Sequence, residues 1–231
     1  MNLLNVSANA KTVKSDKLGK YLTGILYLAP AKTSGKQTCP NSSIGCRASC
    51  LFTAGRGKMH SVENARIRKT RLWFEDRKQF AEMLLDDLKK FKKKCRTTDV
   101  RPAIRLNGTS DIMFCKDKLV KNLIRDNEDV IFYDYTKRQS YFTEYMNNEL
   151  PKNLHLTFSR SEHNWDFCRH VLDNGFNCSA VFENIPEEYY GYPVFNGDET
   201  DLRFLDPFGV CGLSAKGRAK KDKTGFVIRK K

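Results

Sequence analysis

The sequence lacks an apolar run of about eighteen residues, the length that a helix needs to cross a bilayer. Residues 1–14 also lack the order of basic and then apolar residues that marks a secretory signal. These absences predict a cytoplasmic protein with no membrane partner. The 231 residues show no break in composition and no internal repeat, so we expect a single domain over residues 1–231.

Acidic residues are in short supply. The 27 Asp and Glu residues are outnumbered by 41 Lys and Arg residues, which gives a net charge of +14. This excess favours association with a polyanion such as nucleic acid. Much of it lies in residues 89–96 and in 215–231, which we interpret as a basic C-terminal tail. Both runs are equally well explained as solvated surface.

The apolar pattern predicts alternating strands and helices. Helical spacing indicates one long helix or two over 61–94 and shorter helices at 116–126, 141–148 and 164–176. Predicted strands lie at 21–30, 102–108, 129–136, 153–160, 178–184, 192–197 and 209–215. Strands joined by crossover helices pair in parallel. We therefore predict an α/β fold, a full or partial βα (TIM-like) barrel with mostly parallel strands, and a doubly wound open sheet is the alternative.

Three of the eight cysteines lie in one loop, although the C-x2-C pairs of a structural zinc knuckle are absent. Cys39, Cys46 and Cys50 are spaced C-x6-C-x3-C in CPNSSIGCRASC. Thiolates are preferred ligands of zinc and of iron–sulfur clusters. The wide spacing favours a [4Fe–4S] cluster, with zinc as one alternative and three unligated surface thiols as the other.

Cys211 is a candidate fourth ligand, because it lies near the end of the last predicted strand, which in a barrel closes beside the first. Three protein ligands leave one iron open to a substrate, whereas four give a closed site for electron transfer, sensing or structure. Whether the protein is an enzyme depends on this difference. His60 and His155 are fallback ligands.

Polar residues follow several predicted strands, and the carboxyl ends of strands are where barrels place their chemistry. The candidate pocket residues are Arg105, Asn107, Asp111, Asp134, Lys137 and Lys216. Arg105 and Asp134 fall inside apolar runs, and a buried charge needs a partner. They either pair with each other as a structural ion pair or face a ligand.

Four segments together carry a family resemblance: CPNSSIGCRASCLFTAGRG, RLNGTSD, YDYTKR and GLSAKGRAKKDKTGFVIR. They resemble the gene product eighty-eight-like family of tailed phages over nearly the whole chain. The resemblance implies a bacteriophage protein that acts in the cytoplasm of the infected host bacterium. It implies no particular activity.

A more distant likeness is to radical S-adenosylmethionine enzymes, which are similar to a partial βα barrel with a three-cysteine cluster loop after the first strand. The cysteines of this loop occupy the corresponding position, and Asn107, Gly108 and Asp111 occupy the segment that in those enzymes holds the methionine amino group. Their typical spacing is C-x3-C-x2-C. The likeness therefore implies a cluster more than it implies S-adenosylmethionine cleavage.

Two main functions follow from these patterns. The first is a phage iron–sulfur protein with redox or radical chemistry, for which S-adenosylmethionine is a candidate cofactor. The second is a basic nucleic-acid-binding protein whose zinc or iron–sulfur site braces the fold, with Tyr133, Tyr135, Tyr189 and Tyr190 as candidates for base stacking or, more simply, for core packing. Inhibition of a host protein is a third class of function, and nothing in the sequence points to a particular partner.

Overall fold

The computed structural model describes residues 1–6 and 20–229. Residues 7–19 and 230–231 lie outside this part. They include residues 7–14 of the stretch considered for a secretory signal and the last two residues of the predicted basic tail. The strands are β1 (Leu4–Val6), β2 (Tyr21–Leu26), β3 (Arg101–Arg105), β4 (Ile131–Thr136), β5 (Leu154–Ser159), β6 (Cys178–Phe182), β7 (Glu188–Tyr189), β8 (Tyr192–Asn196), β9 (Val210–Ser214) and β10 (Val227–Ile228).

These ten strands form one mostly parallel sheet. Its order is β1-β2-β3-β4-β5-β6-β9-β8-β7, and β10 pairs with β6 beside this path. The pairs β1–β2 and β7–β8 are antiparallel, and the other pairs are parallel. Long apolar stretches form the strands because parallel strands are buried on both faces.

The helices are α1 (Ile44–Ala48), α2 (His60–Glu75), α3 (Arg77–Thr97), α4 (Lys118–Arg125), α5 (Gln139–Met146) and α6 (Trp165–Asp173). The long helical stretch of the sequence is thus two helices. Asp76 separates them, with φ −143° and ψ 88°, and its carboxylate accepts a hydrogen bond from the Gln79 N–H at the start of α3. An Asp in this position satisfies an N–H that the helix cannot pair itself.

The two faces of the sheet are covered differently. On one face, strand residues such as Ile104 and Phe132 join the main core with Phe80 and Leu88 of α3 and with the other helices. On the opposite face, Tyr21, Ala103 and Tyr133 pack with Leu202 from the connection between β8 and β9. Because side chains alternate along a strand, every second residue meets this connection instead of a helix.

The structure confirms an α/β fold with mostly parallel strands. Strands β2 to β6 lie side by side in chain order, without the reversal at a switch point that defines a doubly wound sheet. Within residues 1–6 and 20–229 the pairing runs in a line from β1 to β7 and does not close into a ring. No helix in these ranges has the length and apolar character needed to span a bilayer.

The predicted basic tail differs from the expectation, because residues 215–229 pack onto the fold. β10 pairs in parallel with the second half of β6, with Val227 opposite Val181. Ala219, Phe226 and Val227 form a small buried cluster. These apolar residues are too few, and too widely separated by Lys and Arg, to give a periodic signal in the sequence.

Candidate metal centre

The cysteine loop, residues 39–57, is anchored to the chain after β2 and after β3. The hydroxyl of Thr38, just before the loop, donates to the Ala29 carbonyl at 2.7 Å. The backbone carbonyl of Thr38 accepts the Asp111 N–H at 2.9 Å. The Cys39 thiol lies 3.8 Å from the Thr109 carbonyl oxygen. Since both anchors follow parallel strands, the loop lies at the carboxyl ends of β2 and β3, as the sequence predicts.

Cys39, Cys46 and Cys50 are half-buried free thiols in one electrostatic neighbourhood. Burial raises the pKa of Cys39, and it raises the pKa of Cys50 to about 11. The charge of Cys46 raises both pKa values further, and that of Cys39 raises the pKa of Cys50. In the part of the chain that the structure describes, no three His, Cys, Asp or Glu side chains are already arranged as metal ligands.

The short helix α1 carries Cys46 and is capped by a residue from another connection. Glu162, which follows β5, accepts the Gly45 N–H at 2.7 Å and the Ser43 hydroxyl. Ser43 in turn accepts the Cys46 N–H at 3.0 Å. A carboxylate at these unpaired N–H groups stabilises a helix that is too short to be stable alone.

The C-terminal segment, residues 215–229, packs directly against the cysteine loop. Cys46 contacts the buried cluster that contains Phe226. Gly45 lies so close that an added Cβ would be 2.6 Å from the Phe226 Cβ. Gly217, with φ 56°, likewise lies where a Cβ would be 3.0 Å from the Ala54 Cβ. Two segments that carry the family resemblance are therefore parts of one structural unit.

Arg66 of α2 is a residue of this neighbourhood that sequence reasoning missed. It is 9% exposed, and its guanidinium lies over the Tyr27 ring, 5.1 Å from the centroid. Among the residues that the structure describes, its Nε and Nη1 have no hydrogen-bond partner. Burial lowers the pKa of Arg66, and the negative charge of Cys50 opposes this. Helical spacing could have revealed this residue. The buried positions 66, 69, 70 and 73 lie on one face of the helix, so Arg66 belongs to its inner face.

The pairing of Arg105 with Asp134 that the sequence left open does not form. Arg105 pairs with Asp201, at 3.4 Å between Nη1 and Oδ2, and lies over the Tyr135 ring. Asp134 instead accepts the Asn107 N–H at 2.7 Å and the Asn107 side-chain amide at 3.0 Å. The physical reason is strand alternation, because Asp134 points away from the face that Tyr133 and Tyr135 share.

Asn107 is fully engaged in holding the loop after β3. Its side-chain oxygen accepts from the Ser110 hydroxyl at 2.8 Å and from the Ile112 N–H at 2.9 Å. Its side-chain amide also donates to the Ile112 carbonyl at 3.0 Å. Its backbone N–H and its side-chain amide also donate to Asp134. Through these bonds, Asn107 fixes the backbone that supports the cysteine loop.

Asp111 and Lys137 are brought near the loop, whereas Lys216 makes a different contact. Buried Asp111 accepts the Thr136 hydroxyl at 2.8 Å and the Lys137 N–H at 3.0 Å, and its charge raises the pKa of Cys39. The Lys137 ammonium donates to the Ser159 hydroxyl at 2.7 Å. Lys216 forms an ion pair with Asp198, at 2.7 Å.

Cys211 is buried in β9, where its thiol contacts the Arg203 guanidinium. Arg203 is itself paired with Asp206 at 3.1 Å. Ligation by Cys211 therefore stays a prediction. His155 packs against Phe204, and His60 begins α2 on the surface.

A second concave surface lies beside the C-terminal segment. A pocket of about 310 Å³ is lined by Arg160, Tyr189, Lys223 and Arg229, among other residues. Next to it, the rings of Trp165 and Tyr189 are in contact, with centroids 4.7 Å apart. Tyr190 also lies against Trp165 and is 72% exposed. By contrast, Tyr133 is completely buried, which is the core packing expected of an ordinary tyrosine.

Comparison with known proteins gives one match. No curated protein and no solved structure matches the chain. The model of the family described as Gene product 88 matches residues 2–230. The likeness to radical S-adenosylmethionine enzymes stays a prediction, while the phage family that the motifs resemble is the one that matches. The chain belongs to the Gene product 88 family.

Proposed function

We propose that this protein binds an iron–sulfur cluster through Cys39, Cys46 and Cys50. The observation that carries the proposal is the gathering of three half-buried free thiols, each within the electrostatic range of another, at the carboxyl ends of parallel strands. Structural cysteines are usually buried in apolar cores instead of being gathered in polar loops, and Cys95, Cys115, Cys168 and Cys178 are buried in this way here.

The residues around the loop fit an anionic cluster. Arg66, within electrostatic range of Cys50, has two buried nitrogens without a partner among residues 1–6 and 20–229, and these suit sulfur ligands that carry negative charge. Three thiolates occupy three irons of a cubane, which leaves the fourth iron for a substrate or for Cys211. A zinc ion held by the same thiols is the alternative.

We extend the proposal to the fold and to the class of chemistry. The sheet is a partial barrel whose interior is the face that packs on Leu202. A cluster with an open iron supplies redox or radical chemistry, for which S-adenosylmethionine is a candidate. Asp111 and Lys137, near the loop, would hold the polar part of a ligand. The site of action is the cytoplasm of the infected bacterium.

The test is iron and acid-labile sulfide analysis, with an absorption spectrum, on protein purified without oxygen. We expect iron and sulfide in near-equal amounts and a broad absorption at about 400 nm, as for thiolate-bound clusters. Replacing any one loop cysteine by Ala should remove most of the iron, whereas Cys168→Ala, a buried core control, should retain it. A folded, colourless and metal-free wild-type protein would exclude the proposal, and zinc without sulfide would replace it by the structural zinc site.

The fourth ligand is tested separately with Cys211→Ala. A cluster that survives this substitution has an open iron, and S-adenosylmethionine should then change its electron paramagnetic resonance spectrum. A cluster that is lost, in a protein that remains folded, indicates four cysteine ligands and a closed site. The second result would direct work towards electron transfer or sensing.

Nucleic-acid binding is a second candidate, favoured by the pocket beside the exposed Tyr190. Its lining includes three cationic side chains, and Tyr190 presents an open ring for a base. Binding of a labelled single-stranded oligonucleotide should weaken steeply with salt. It should weaken further in Lys223→Gln and Tyr190→Ala but not in Lys89→Gln, an exposed lysine on α3. Salt-insensitive or absent binding would reject this candidate, and a host protein would remain the proposed partner.

A further inference from the structure

A buried arginine usually has acceptors for its N–H groups, and within residues 1–6 and 20–229 two nitrogens of Arg66 have none. The side chain is 9% exposed, and Nε and Nη1 are buried without a hydrogen-bond partner in this part of the chain. Guanidinium groups cannot lose their charge in proteins, so burial does not remove the need for an acceptor. The position suits an anionic partner, which no side chain of residues 1–6 or 20–229 provides.

The surroundings on the helix side supply no such partner. The Tyr27 ring gives a cation–π contact with the guanidinium, and neither Nε nor Nη1 is hydrogen-bonded within the described residues. Glu63, one turn earlier on α2, influences the pKa of Arg66, yet no carboxylate of residues 1–6 or 20–229 forms a salt bridge with it. The Thr70 hydroxyl donates to the backbone carbonyl of Arg66 and accepts the Ala29 N–H, so it does not pair with the guanidinium.

The surroundings on the loop side are the cysteines. Arg66 and Cys50 each alter the pKa of the other, which places the guanidinium within electrostatic range of a proposed ligand. When three thiolates bind an oxidised cubane, their negative charges outweigh the positive charge of the core. With this cluster bound, the loop would hold an anion within electrostatic range of the Arg66 guanidinium, two of whose nitrogens lack acceptors among the described residues.

We propose that Arg66 donates its unpaired N–H groups to the thiolate and sulfide sulfur atoms of the cluster that the cysteine loop binds. This inference rests on the proposed function and adds to it the residue that compensates the charge of the cluster. Net charge and hydrogen bonds to sulfur set the reduction potential of such clusters. Arg66 makes it easier to add one electron from a reductant such as dithionite, because the reduced cluster carries more negative charge.

The experiment is a dithionite titration of the anaerobically purified protein, followed by absorption and electron paramagnetic resonance. In Arg66→Gln we expect the one-electron reduction equilibrium to shift about tenfold towards the oxidised cluster, which corresponds to about 59 mV. Arg66→Lys retains the charge and should shift less. Arg68→Gln, an exposed arginine on the same helix, is the matched control and should leave the potential unchanged.

The outcomes separate this inference from the proposed function. A wild-type protein without iron and sulfide would overturn both. A cluster whose potential is the same in wild type, Arg66→Gln and Arg68→Gln would overturn only the role of Arg66. If Arg66→Gln does not fold, the comparison of Arg66→Lys with Arg68→Lys decides, and equal potentials in these two variants would again overturn it.

Discussion

At the scale of the residue, the protein buries several charged side chains and gives most of them specific partners. The Lys69 ammonium donates to the Leu3 carbonyl at 2.7 Å and to the Asn5 side chain at 3.0 Å, and burial lowers its pKa to about 8. Asp111 accepts two hydrogen bonds. Other buried arginines also leave Nε unpaired, but within the described residues Arg66 combines two unpaired nitrogens with the lack of a carboxylate partner, which supports the proposed ligand.

Asp134 should make stability depend on pH. Burial raises its pKa from the usual 3.8 to about 7, so the folded chain holds a proton there that the unfolded chain releases between these values. The stability that this proton contributes is present below pH 4 and is lost as the pH rises through 7, by on the order of 4 kcal/mol. Asp134→Asn cannot titrate. In urea unfolding at several pH values, wild type should lose more stability than the variant between pH 4 and pH 8; parallel curves would contradict this pKa.

Gly45→Ala should weaken the contact between α1 and the C-terminal segment. The new methyl group would clash with the Thr224 hydroxyl and the Glu162 carboxylate and would lie 2.6 Å from the Phe226 Cβ, an atom that moves only with its backbone. Overpacking of this kind costs about 1–3 kcal/mol, measured by urea unfolding. Ala48→Ser, at an exposed position of the same helix, is the control and should change stability by about 0.5 kcal/mol or less. Equal stabilities of the two variants would show that the segment can move aside.

At the scale of the element, the sequence predicts the long strands and misses the short ones. The predicted strand at 178–184 is observed as Cys178–Phe182, because a buried parallel strand is a continuous apolar run. β7 and β10 have two residues each, too few for any period to show. The sequence leaves one helix or two open over 61–94 for a different reason, since the apolar spacing continues through Asp76 and only the cap marks the break.

Only the local part of the candidate site was predictable from the sequence. Three cysteines in twelve positions are visible in the sequence, but the support of their loop comes from distant residues. Glu162 and Phe226 approach α1 only because β5 and β10 place them there. Asp201, the partner of Arg105, also comes from far along the chain, so spacing does not reveal it.

Phe226→Ala should destabilise the protein and reduce its metal content together. The ring is buried in the cluster that contacts Cys46, and removing a buried phenylalanine side chain costs about 3 kcal/mol or more. Because this cluster supports the cysteine loop, we expect less iron per chain after anaerobic purification. Phe208→Ala, where the side chain is 48% exposed, should change neither quantity much. Full iron content in a destabilised Phe226→Ala protein would show that metal binding by the cysteine loop does not depend on the packing of the C-terminal segment.

At the scale of the whole molecule, the connection between β8 and β9 joins the sheet from the face that lacks helices. Phe204 contacts Tyr21 of β2 and Tyr133 of β4, and Asp201 receives Arg105 of β3 and the Tyr133 hydroxyl. One short segment therefore bridges three neighbouring strands. Its ion pair should be worth more than a surface pair, because the Arg105 side chain is only 15% exposed.

Asp201→Asn should accordingly reduce the free energy of unfolding by about 3 kcal/mol, since it leaves a buried guanidinium without its carboxylate. Asp126→Asn provides the comparison, because Asp126 pairs with Arg125 in an exposed position and should cost at most about 0.5 kcal/mol. Urea unfolding at low and high salt checks both values. Similar losses in the two variants would show that the pair with Arg105 is solvated.

The packing of residues 215–229 on the cysteine loop also affects when the loop can reach its final structure during synthesis. A ribosome adds on the order of ten residues per second, and about 160 residues separate the loop from this segment, so the loop is synthesised more than ten seconds before its support. During this interval the three thiols lie on a nascent chain that lacks β10. Stable insertion of the proposed cluster should then follow synthesis of the last strand, and ribosome-bound chains that end before residue 215 should purify without it.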